Sequence, residues 1–128
     1  MRDITLSIVN ALLADTNVAT QVSTRVYRAK LPKKPTLPAI VVTKVDDIRP
    51  NDTNEPYGRA RMQVTVLSAS DGLTDNISGM VADALNSVVN TYLTGVIIVS
   101  IEDAGAVTDN NPDADTWMYH RDFMVNYR

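Results

Sequence analysis

The sequence predicts an α+β domain, a mostly antiparallel sheet with two helices packed on one face, and three stretches predict it. From Arg59 the residues alternate, with Arg59, Arg61, Gln63 and Thr65 on one face and Ala60, Met62, Val64 and Val66 on the other. A period of two marks a strand with one packed side and one free side. After Ser68-Ala69-Ser70-Asp71-Gly72 the period changes. Leu73, Ile77, Met80, Val81, Ala84, Leu85, Val88, Val89 and Tyr92 follow the spacing of an amphipathic helix. Thr116 to Arg128 alternates again: Trp117, Tyr119, Arg121, Phe123, Val125 and Tyr127 share one face.

In chain order, Asp3 is a plausible N-cap for a first helix whose apolar face is Ile4, Ile8, Val9, Leu12 and Leu13. Asp3, Ser7 and Asn10 interrupt the apolar run, and no A-x-A pattern follows, so this reads as an ordinary helix and not as a signal segment. Asp15-Thr16-Asn17 breaks it, leaving room for one more turn over Val18 to Val22. Arg25 to Arg28 reads as a short extended piece. Three prolines, Pro32, Pro35 and Pro38, then keep the connection extended, because proline lacks the ladder N–H and disfavours helix in the residue before it.

Ala39 to Val45 is a near-continuous apolar strand, and Asp46 to Tyr57 a loop with almost nothing to bury. Ser70 or Asp71 caps the long helix. Thr94-Gly95 turns the chain into a strand over Val96 to Ile101, and Glu102 to Asp115 reads as a second acidic loop. The final strand carries four of the seven aromatic residues and closes the core over the helices. Thirteen extended residues reach roughly 43 Å, so this strand either bends at a bulge or shares a sheet with a neighbour.

All 128 residues form one domain, with roughly 6,700 Å² exposed when folded against about 20,000 Å² unfolded. No cysteine is present, which excludes disulfides and Cys-ligated metals. No run approaches the roughly 18 apolar residues of a membrane span. Residues 1–70 hold ten Lys/Arg against six Asp/Glu, whereas residues 71–128 hold two against nine. On one reading this asymmetry is a coincidence of sequence order on one solvated surface; on the other, one flank of the fold is basic and another acidic, and identical subunits could join head to tail and close into a ring. The acidic second half argues against a DNA-gripping module, but suits a passage through which DNA slides.

Catalytic chemistry is poorly supplied. His120 is the only histidine and lies on the polar phase of its strand. Asp46-Asp47 and Glu102-Asp103 are adjacent pairs, whose side chains point to opposite faces of a strand. No glycine-rich phosphate loop, G-x-S-x-G or H-E-x-x-H occurs. Asp109, Asn111, Asp113 and Asp115 alternate as calcium ligands do, but Ala114 stands where such a loop needs glycine and His120 where it needs glutamate. A solvated turn is the better reading, with no cofactor or metal.

Arg25-Val26-Tyr27, Leu31-Pro32 and Leu37-Pro38-Ala39-Ile40-Val41-Val42 follow one another in an order that resembles the tail-completion, or tail terminator, proteins of long-tailed bacteriophages. Arg59-Ala60-Arg61-Met62-Gln63-Val64-Thr65-Val66 resembles that family's strand before its long helix, and Tyr119 to Tyr127 its aromatic last strand. The resemblance implies a non-enzymatic homo-oligomeric ring, usually of six subunits, at the head-proximal end of the tail tube. It would end tube polymerisation and join the tail to the head–tail connector or head-completion protein, inside the virion, after assembly in the host cytoplasm. DNA would pass through without specific binding, and no membrane is involved. On this reading Arg59, Arg61, Gln63, Arg25, Arg28 and Asp122 lie at the subunit interface. Asp46, Asp47, Arg49, Asn51, Asp52, Glu55, Tyr57, Asp109, Asp113 and Asp115 meet the tail tube or connector. The rival readings are a polymerising neck or tail-tube subunit and a small α+β ligand-binding domain or enzyme.

Overall fold

A computed structural model describes residues 3–33, 35–48, 58–111 and 116–128. Asp3 caps helix α1 (Ile4–Ala14), its carboxylate accepting the Leu6 amide at 2.9 Å and so satisfying one N–H that the first turn leaves without a partner. Asp15 ends α1 and in turn caps α2 (Thr16–Val22), accepting the Val18 amide at 3.0 Å. The expected break is therefore one residue long, and three helices replace the two expected. An aspartate that stops one helix is equally able to start the next.

The strands are β1 (Val26–Arg28), β2 (Ala39–Ile48) and β3 (Gly58–Ser68), followed after α3 (Asp71–Asn86) by β4 (Thr91–Leu93), β5 (Val96–Asn111) and β6 (Thr116–Tyr127). They form one sheet in the order β1-β2-β3-β6-β5-β4. Only β1 and β2 run parallel. The helices cover one face, α1 over β1 and β2, α3 over β3, β6 and β5. Ala60, Met62, Val64 and Val66 of β3 are buried beneath them, as the alternation predicts. Ser70 is the residue that caps α3, accepting the Leu73 amide.

Two boundaries differ from expectation. The helix α3 stops at Asn86, and Tyr92 lies in β4, paired with Ile97. Thr91 and Tyr92 are β-branched and aromatic and prefer a strand when one is offered. The stretch 102–111, expected as an acidic loop, continues β5 and pairs with β6 as far as Asn111↔Thr116. Backbone partners along β6 outweigh the weak strand propensity of Asp, Asn, Ala and Gly. The long final strand is thus covered within the chain, by β3 on one side and β5 on the other, without a neighbour.

Bulges adjust which face each residue meets. One between Lys44 and Asp46 leaves Val45 exposed and turns Asp47, opposite buried Ala60, toward the helix side. Asp46 and Asp47 therefore belong to β2, not to a loop, and Asp47 accepts the Tyr127 hydroxyl at 2.6 Å. Gly58 lies opposite Tyr127, and a Cβ at Gly58 would come within 2.2 Å of the Tyr127 Cζ and 2.4 Å of its hydroxyl. Gly58→Ala should therefore lower unfolding free energy by about 1–3 kcal/mol through overpacking. Gly79→Ala, on α3 with open space around it, should raise it by about 0.4–1 kcal/mol. Urea unfolding of the two variants checks both signs.

Candidate functional site

The face of the sheet away from the helices carries a polar ladder. Arg59, Arg61, Gln63 and Thr65 of β3 stand opposite Asn126, Met124, Asp122 and His120 of β6. The Arg61 guanidinium donates to Asp122 Oδ2 through Nη2 at 2.5 Å and Nε at 3.2 Å, and Gln63 Nε2 donates to Asp122 Oδ1 at 3.4 Å. Thr65 Oγ1 and His120 Nδ1 are 2.9 Å apart. Asn126 Nδ2 donates to Ser100 at 3.0 Å, and Arg59 lies 3.9 Å from Glu102, which extends the cross-links to β5.

Both arginines of this strand side have acidic partners within the chain, on strands that lie far along the sequence. Such exposed pairs each contribute about 0.2–1 kcal/mol, enough to order side chains but not to hold the fold.

A shallow concavity of about 470 Å³ opens on this face, lined by Arg61, Gln63, His120, Asp122 and residues Ala104 to Val107. A bulge between Asp103 and Ala106 shapes it. Gly105 takes φ 107°, a conformation suited to glycine, and its N–H donates to Asp103 Oδ1 at 2.9 Å. His120 is tied to Thr65 and Asp122 to Arg61 and Gln63, so the concavity presents no poised acid–base pair. Among the described residues no group of three or more His, Asp or Glu side chains is placed to hold a metal ion. Asp109 stands in β5 opposite Met118, not in a solvated turn.

The other residues expected at the subunit interface lie elsewhere. Arg25 donates through Nε to the Pro38 carbonyl at 2.9 Å and so ties the proline-rich connection to the end of α2. Arg28, on the edge strand β1, is paired with Asp3. Lys30 and Lys33 are exposed just beyond it. Thus Arg59, Arg61, Gln63 and Asp122 form one cluster, while Arg25 and Arg28 belong to the β1 end of the sheet. Of the residues expected to meet tube or connector, Asp46, Asp47 and Asp109 lie on strands. Arg49, Asn51, Asp52, Glu55, Tyr57, Asp113 and Asp115 fall outside the described residues.

Exposed acids gather on α3 and β5. Asp71, Asp75 and Asp83 are exposed on α3, and Glu102, Asp103 and Asp109 along β5. Arg121, to which the sequence reading gave no task, binds here: it donates to Ser78 on α3 at 3.0 Å and to Asp103 at 2.5 Å. A lone cation on an otherwise apolar strand face was the signal for this strut. Asp71 accepts the Tyr119 hydroxyl at 2.8 Å, and that bond holds the phenol above its ordinary value of 10.0.

The family described as tail completion protein gp17 matches residues 7–128. The chain belongs to that family. It is accordingly a structural tail protein. The fold is similar to that of a chain from a structure described as the virion of a native gene transfer agent particle. That likeness has a TM-score of 0.75 at 20% identity and covers 97% of this chain and 93% of the other. No curated protein matches the chain.

Asp3 links the first helix of this tail completion protein to its basic end. Burial opposes its charge, but the Leu6 amide and the Arg28 guanidinium outweigh burial and hold its carboxyl below the ordinary 3.8. A depressed carboxylate stabilises the fold above its unfolded pKa and loses that contribution as the pH falls through the folded value. Asp3→Asn should therefore cost stability at neutral pH and flatten the decline below 3.8, so that its difference from the unsubstituted chain shrinks as the pH falls. Urea midpoints measured from about pH 5 down to about pH 2.5 check this.

Proposed function

We propose that this protein forms a closed homo-oligomeric ring, a hexamer, at the head-proximal end of the tail tube, where it ends tube polymerisation and joins the tail to the head. The family match over nearly the whole chain carries this reading. The fold shared with a chain from a gene transfer agent virion supports it, as does the separation of exposed lysines beside β1 from exposed acids along α3 and β5.

The partners are further copies of the chain, the tail tube protein and the head–tail connector or head-completion protein. Assembly takes place in the host cytoplasm, and the ring resides in the virion. The work is structural rather than enzymatic. Because Asp122 and Glu102 already neutralise Arg61 and Arg59, the open sheet face is a nearly balanced polar surface that another tail protein or passing DNA can touch without strong electrostatic capture.

Native mass measurement should give about 84 kDa, six copies of the 14.0 kDa chain. Electron microscopy should show discrete rings, and open tubes would instead identify a polymerising neck or tube subunit. Particles assembled without the protein should carry tails of uncontrolled length or tails that fail to join heads. Normal tails on such particles would defeat the terminator reading.

A further inference from the structure

Resting on the ring reading, we propose which surfaces form its seam: the basic β1 end of one subunit, with Lys30 and Lys33, docks on the acidic α3–β5 side of the next, with Asp75, Asp83 and Asp109. The strand order places β1 at one end of the sheet and the β5–β4 pair at the other. Within one chain the two charge sets stand on different halves of the fold, the lysines beside β1 and the aspartates on α3, which lies over β3, β6 and β5. Among the described residues Lys30, Lys33, Asp75 and Asp83 take part in no ion pair. All four are exposed. A second copy supplies the counter-charge that the first copy keeps on its other half.

The β5 edge adds a backbone argument. Strand β4 pairs with β5 only from Val96 to Ile98, and among the described residues no strand lies on the outer edge of β5 beyond that. Residues 102–109 there are all exposed, including Val107 at 67%. A free edge of this length is a template for pairing with another chain. Along it Glu102 and Asp103 are paired with Arg59 and Arg121 of their own chain. The basic end of a second copy can approach this edge without like-charge repulsion. Such a contact is heterologous, head to tail, the kind from which rings close.

The test uses two charge reversals of the full chain, Lys30→Glu/Lys33→Glu and Asp75→Lys/Asp109→Lys, with circular dichroism to confirm folding. The first variant is acidic at both ends and the second loses the acidic character of one end. Each alone should lose the ring mass by light scattering. An equimolar mixture should regain it, because alternating variants again bring opposite charges together. Independently, the dissociation constant of the wild-type ring should rise at least about tenfold between roughly 50 and 500 mM sodium chloride, as screened charges dictate. A wild-type ring that either folded variant still forms alone, that the mixture does not restore, or that ignores salt overturns this seam and leaves the ring standing. A wild-type chain that stays monomeric overturns the ring and the seam together.

Discussion

The register of the last strand is the constraint on which the rest of this structure depends. Strand β6 is the final segment of the chain but sits inside the sheet, paired with β3 from Gly58↔Tyr127 to Ser68↔Trp117 and with β5 along its other edge. Phe123, Val125 and Tyr127 face the helices and are buried. A slip of one residue would move all three to the open face and bring Asp122 and Met124 into the core. The lock is local and steric: Tyr127 lies where Gly58 has no side chain, and its hydroxyl reaches Asp47 two strands away. Glycine, tyrosine and aspartate from three strands thus fix one alignment.

That alignment decides what the open face presents. With Tyr127 turned inward, Asp122 and His120 turn outward and fall beside Gln63 and Thr65. The polar ladder is a consequence of core packing and not a separate device. Its ion pairs are exposed, Arg61 with 51% and Asp122 with 19% of side-chain area accessible, so solvent screening keeps their contribution small. Arg121 illustrates the other phase of the same strand. It points to the helix side, where a cation needs partners, and finds Asp103 and Ser78.

How much of this was legible in the sequence follows from what periodicity can encode. Alternation in β3 told which of Ala60, Met62, Val64 and Val66 are buried, because side-chain direction is a property of the strand itself. The caps at Asp3 and Ser70 were legible for a similar local reason. Nothing in alternation names the neighbouring strand, so the pairing of Arg61 with Asp122, 61 residues away, was hidden. The extension of β5 was hidden too. Residues 102–109 are exposed on both sides, and a strand with no buried face has no hydrophobic period to read. Bulges at Lys44/Asp46, Ile98/Ser100 and Asp103/Ala106 further shift the phase within single strands.

The family reading was carried by short motifs in order, and the structure shows why motifs at those positions belong together. Arg25 binds the carbonyl of Pro38, and the amide of Ile40 donates to the carbonyl of Arg25 at 2.9 Å. The R-V-Y and L-P-A-I-V segments are therefore two sides of one parallel pairing, β1 on β2. Parallel pairing needs a long crossover, and here the proline-rich connection supplies it without a helix. It also leaves Lys30 and Lys33 at the outer limit of the sheet, with the acids of β5 toward the other. A sheet closed into a barrel has no ends to carry such a difference. An open sheet has two, and when they differ in charge, copies can join only in one sense, end to opposite end. Such a chain of contacts closes into a ring when the rotation between copies permits, and that closure is what the proposed seam requires.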